Sequence, residues 1–135
     1  MSRGVWICLG LLAIFALAGC RGDSGGVEDV VVQVEVTPDP PRIGPAVVVV
    51  SLSDLAGQAI SGATVSLEGN MNHAGMVPVL ADAAEVDAGR YEAALEFTMG
   101  GDWFILAQVT LPDGRTFEHQ VDVPGVDVFC GTPSP

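Results

Sequence analysis

The chain has no lysine, only two histidines and one tyrosine, and three cysteines in 135 residues. Its five cationic side chains are therefore all arginine, set against 17 acidic ones, for a net charge of −12. So negative a chain lacks the phosphate-neutralising surface that nucleic acid requires, and it should not be drawn to anionic lipid headgroups. Attraction of cations in general remains open. The acids are spread along the chain, however, and a diffuse field of that kind serves solubility first. No stretch holds a helical period. No apolar run reaches the roughly 20 residues of a membrane-spanning helix. No serine or cysteine has a histidine placed to activate it, so an enzyme is not expected and no small-molecule substrate is evident.

The cysteines sort by position. Arg3, an apolar run over 5–17 and Leu17-Ala18-Gly19-Cys20 have the layout of an export signal. Leu-Ala-Gly-Cys resembles the bacterial lipobox, which implies cleavage after Gly19 and lipid on Cys20. The expected product is an extracytoplasmic lipoprotein held to a bacterial membrane through that lipid rather than by a spanning helix. Cys8 would leave with the signal, so Cys130 alone would remain and no internal disulfide could form. Blue-copper chemistry, with two histidines and a cysteine on one metal, does not suit a cysteine isolated in a tail. With Arg3 gone, four arginines face 17 acids, a net charge of −13. Arg21-Gly22-Asp23 spells an adhesion tripeptide, but in a Gly/Ser-rich stretch beside the anchor it reads as linker. The expected organisation is a signal peptide over 1–19, anchor and linker over 20–26, one domain over 27–124 and a flexible tail over 125–135.

The body reads as β throughout. Strands are expected over 27–36, 46–52, 63–67, 77–86, 90–99, 103–111 and 115–123, with turn signals between them, a pattern of sandwiches and barrels. The continuous apolar run 46–52 suggests a strand buried on both faces. Tyr91, Ala93, Leu95, Phe97 and Met99 share one face; Trp103, Ile105, Ala107, Val109 and Leu111 share another. These two strands are expected to form a hairpin, and both faces turn inward only with a three-residue loop, Gly100-Gly101-Asp102. That loop would pair Met99 with Trp103. After the Pro112-Asp113-Gly114 turn, Val109 should oppose Phe117 and Ala107 should oppose His119. His119 then lies inward but roughly 13 Å from the Trp103 rung. It reads as a core or rim histidine held by a hydrogen bond, outside any shared site.

Beyond the initiator there are three methionines, and they cluster. Met71 and Met76 flank His73 in Asn70-Met71-Asn72-His73-Ala74-Gly75-Met76, expected as a loop from Gly69 to Gly75. Met99 precedes Trp103 in Met99-Gly100-Gly101-Asp102-Trp103. Thioethers and imidazole suit copper(I), and outside the cytoplasm thioethers outlast thiols. If the loop closes over the sandwich tip, Met71, His73, Met76 and Met99 could converge, with Trp103 beside the ion as a shield. Packing offers the competing account. Methionine fills core gaps, Met99 is in phase with Phe97, and Trp103 is a natural core plug.

The order strand, Met-x-His-x-x-Met, strand, Gly89-Arg90-Tyr91, then Met-x-Gly-x-Trp resembles the YtkA-like and FixH-like extracytoplasmic domains over roughly 27–123. The resemblance implies a single Ig-like antiparallel β-sandwich of about seven strands, an all-β fold. It also implies copper handling, here a copper(I) chaperone or carrier with a possible part in terminal oxidase assembly. An envelope protein would receive the metal. Carried over by position, the ligands would be Met71, His73, Met76 and Met99. The alternative is a metal-free structural or interaction module of the cell envelope.

Overall fold

A computed structural model describes residues 27–127. The anchor cysteine Cys20 and the tail cysteine Cys130 lie outside the described residues. Seven strands follow one another without a helix among these residues: β1 Val30–Thr37, β2 Gly44–Asp54, β3 Thr64–Met71, β4 Val79–Asp87, β5 Arg90–Phe97, β6 Gly101–Thr110 and β7 Thr116–Val126. Every pairing between them is antiparallel, in the order β1-β2-β5-β4-β3-β6-β7. The all-β fold anticipated from strand spacing, and the sandwich that the resemblance implied, are what the chain adopts.

Strand β4 joins the two layers. Its first half, Val79 to Ala83, pairs with β3; Ala84, Glu85 and Asp87 pair with β5 across an irregular register. A strand that changes sheet in this way turns the sandwich toward a barrel. At the far side, Ile43 donates to the Asp127 carbonyl and Asp127 donates to that of Pro41, which draws the end of β7 toward the β1–β2 connection. The core fills the space between. Tyr91, Ala93, Leu95 and Phe97 of β5 face Trp103, Ile105, Ala107 and Val109 of β6, all buried.

Five expectations need correction. The segment 98–102 is not a hairpin loop: β5 lies between β2 and β4, and β6 lies between β3 and β7. The residues cross from one sheet to the other, and Phe97 meets Trp103 across the core, ring centroids 5.1 Å apart and edge to face. Alternation had identified the inward faces correctly, but inward phase is satisfied equally by two neighbours in one sheet and by two strands on facing sheets. Met99 accordingly is not in a strand and does not cap the core; it is 41% exposed, and its expected cross-strand partner Trp103 pairs with Met71 instead. The apolar run in β2 is buried on both faces only at its centre: Val48, Val49 and Val50 are all buried, whereas Val47, on the same outer face as Val49, is 37% exposed. Gly69, Asn70 and Met71 belong to β3 rather than to a loop. His119 does pair with Ala107, but its half-buried ring has no side-chain hydrogen bond among the described residues. The β6–β7 hairpin is otherwise as expected, with Val109 opposite Phe117 and Leu111 donating to Arg115 at 2.8 Å.

Candidate metal centre

One end of the sandwich carries the methionines. There β3 ends at Met71, the crossover enters β6 at Gly101, and Met71 lies directly opposite Trp103 on the neighbouring strand. Trp103 is 2% exposed, so the indole is part of the core and not a lid. Its ring reaches the backbone of Gly69, a residue within β3 that leaves room for the indole: a Cβ there would lie 3.6 Å from Cζ3 and 3.3 Å from the Leu95 methyls. The indole Nε1 donates to the carbonyl oxygen of Met99 at 2.9 Å. A buried N–H without a partner would cost about 1–3 kcal/mol, so this bond fixes where the crossover runs.

Met71 extends toward the same crossover. Its Cε stands 2.9 Å from where a Cβ on Gly101 would be, and Gly101 has a φ of +127°. The structure therefore brings Met71, Gly101, Trp103 and the Met99 backbone into one neighbourhood. His73 and Met76 follow on a tight turn. Met76 N–H donates to the His73 carbonyl at 3.4 Å, and Gly75 takes the left-handed φ of +85° that such a turn needs. Met76, like Met71, is half-buried and packed on the core. His73 is exposed, and its ring makes a local contact: Nδ1 lies 3.2 Å from the Ala74 carbonyl. A carbonyl only accepts, so Nδ1 is the donor in that contact.

The chemistry of this donor set is soft. Among the described residues no three His, Cys, Asp or Glu side chains gather as metal ligands.

Sequence reasoning missed what lies beside this end. A cleft of about 400 Å³ is lined by Asn72, Asp102, Trp103, Phe104, Gln120, Asp122 and Pro124. The register of β6 and β7 shifts there, and Asp102 Oδ1 accepts from Gly125 N–H at 2.9 Å to hold the irregularity. The signal was Pro124-Gly125 near the end of an otherwise alternating strand, a bulge signature.

The perturbed ionisable groups sit at the opposite end. Glu85 is held below the usual carboxylate range, chiefly by the backbone N–H of Gly62, with Ser61 and Gly89 adding bonds. Burial pushes Tyr91 up. Its hydroxyl donates to the Ile60 carbonyl at 2.8 Å and accepts from Ala63 N–H at 3.0 Å. Arg115 pairs there with Asp29 and Asp113; its guanidinium lowers the Asp29 carboxyl, and its backbone N–H, followed by its side chain, lowers that of Asp113.

A family model described as YtkA-like matches residues 26–108. The chain belongs to the YtkA-like family. The match bears out the YtkA-like half of the expected resemblance, and it takes in the His73 turn, the Gly-x-Tyr segment and the Met99 to Trp103 crossover. Among solved structures, this YtkA-like chain is similar to the PmoD soluble domain from Methylocystis sp. ATCC 49242 (Rockwell). The identity is 15% and the TM-score 0.47, over 74% of this chain and 93% of that one. No curated protein matches the chain.

Proposed function

We propose that this protein is a copper(I) carrier of the cell envelope, anchored through lipid on Cys20, that holds the ion with Met71, His73, Met76 and Met99 and passes it to an envelope protein. The observation that carries the proposal is the Met71–Gly101–Trp103–Met99 arrangement at one end of the sandwich. It supports one half-buried thioether, that of Met71, near a fixed point of the core, with the Met99 backbone beside it and the turn that carries His73 and Met76 next in the chain. Membership of the YtkA-like family supports it further, because copper handling is what the resemblance to that family implied.

Each residue has a distinct part in this reading. Met71 and Met76 are half-buried, so their sulfurs would hold copper(I) partly out of water. Thioethers carry no proton to displace, and metal uptake by them is not opposed by acid as it is for thiols. His73 donates its second ring nitrogen to a carbonyl, an arrangement that orients ligating histidines in general. Exposure of His73 and Met99 leaves a side open from which an acceptor protein could take the ion. Trp103 is not expected to touch copper; its part is to hold the Met99 backbone.

Titration of the mature domain with copper(I) against a competing chelator tests the proposal. A single tight equivalent is expected, lost when His73→Ala and Met76→Ala are combined. Binding no tighter than nonspecific, or unchanged in the double variant, would leave the metal-free envelope module as the reading.

A further inference from the structure

The family pattern Met-x-Gly-x-Trp contains a glycine whose purpose the sequence does not explain. We infer that Gly101 is a positioning residue for Met71: the absence of a side chain at 101 makes the socket that seats the Met71 thioether against the crossover. This rests on the copper(I) reading above insofar as Met71 is a ligand, but the socket itself is a claim about packing.

The geometry is specific. A Cβ on Gly101 would stand 2.9 Å from Met71 Cε, closer than nonbonded carbons approach. The obstructing atom is the last carbon of a flexible side chain, so the thioether would move and the strands would not. Backbone conformation by itself favours glycine at 101, and a second glycine separates that demand from the socket. Gly44 has nearly the same φ, +116° against +127°, and a Cβ there would meet nothing within 4 Å. Gly44 pairs with Phe97 of β5, so it also lies at this end of the sandwich. The two glycines therefore share the conformational demand and differ in what the space is used for. On the other side of the crossover the Trp103 indole fixes the Met99 carbonyl. The five residues 99–103 thus set the place of one methionine by an open space and of the other by a hydrogen bond.

The test compares Gly101→Ala with Gly44→Ala in the mature domain labelled at its methionine methyls. Gly101→Ala should shift the Met71 methyl resonance and weaken copper(I) binding roughly 10- to 100-fold, the range for a lost positioning contact around a metal. Gly44→Ala, with comparable strain, should do neither. A Met71 resonance that is unmoved in Gly101→Ala, or moved equally in Gly44→Ala, overturns the inference. If Gly101→Ala does not fold, the unmodified protein decides: an Overhauser contact between the Met71 methyl and Gly101 Hα is expected, and its absence overturns the socket. Copper(I) that fails to bind the unmodified domain, together with a positive Overhauser contact, sinks the functional reading and leaves the socket standing.

Discussion

The two ends of the sandwich use the same parts to different effect. Each has a glycine of positive φ, and each has an aromatic side chain that donates to a main-chain carbonyl: Tyr91 to Ile60 at one end, Trp103 to Met99 at the other. At the Tyr91 end the glycine is surrounded by backbone and an alanine Cβ. A Cβ on Gly89 would lie 2.7 Å from the Leu52 carbonyl oxygen, 2.9 Å from Ala59 Cβ and 3.0 Å from Ile60 N. At the Trp103 end the Gly101 space is occupied by a side-chain terminus. One end is closed by groups that cannot move. The other is closed by a thioether that can, next to an exposed imidazole. An end closed by fixed groups and an end closed by an adjustable thioether would suit the copper(I) carrier proposed above, because its cargo must both enter and leave.

Substitutions at the two glycines should separate the ends most sharply. Gly89→Ala forces a side chain onto backbone and is expected to cost on the order of 3–5 kcal/mol in a denaturant melt. Gly101→Ala should cost about 1–3 kcal/mol, the strain of its φ alone. Equal costs would erase the distinction. Next in size come the aromatics. Tyr91→Phe leaves the Ile60 carbonyl and the Ala63 N–H without their partner and should lose about 1–3 kcal/mol with no change in copper(I) affinity. Trp103→Phe should lose a comparable amount and weaken copper(I) binding as well, since the Met99 carbonyl is released. A Trp103→Phe variant with unaltered affinity would show that the crossover does not serve the site.

The smallest expected effect concerns pH, and it belongs to the Tyr91 end. Glu85 is depressed in the folded state below its ordinary value of 4.5. Its contribution is therefore present above that value and lost as pH falls through and below it. Tyr91 is raised above its ordinary value of 10.0, so its contribution holds below pH 10.0 and is lost as pH rises beyond it. Glu85→Gln should flatten the acid limb of the stability profile and leave the alkaline limb in place. An unchanged acid limb would remove Glu85 from the account.

Much of this was legible in the residues. Period-two alternation identified the inward residues of β5 and β6, because burial of one sheet face imposes it, while β2 was marked by a continuous apolar run and the strand over 77–86 was only weakly patterned. The Pro112-Asp113-Gly114 turn fixed the β6–β7 register, and His119 fell where the count placed it. Neighbourhood was not legible. Alternation says that Phe97 and Trp103 both point inward, but it does not say whether they sit side by side or across the core. Assuming a hairpin therefore gave Met99 a partner that belongs to Met71. The role of Gly101 was hidden for the same reason. It depends on the end of a side chain 30 positions earlier, and only the pairing of β3 with β6 brings that atom near.

The central claim is that copper(I) is held by sulfur and imidazole at the Met71 end. X-ray absorption at the copper edge on the copper(I)-loaded mature domain tests it most directly. The account predicts at least two sulfur scatterers and one imidazole, with the imidazole signature removed by His73→Ala and a sulfur removed by Met71→Leu. A shell of only nitrogen and oxygen, or a spectrum identical in the Met71→Leu variant, would contradict it.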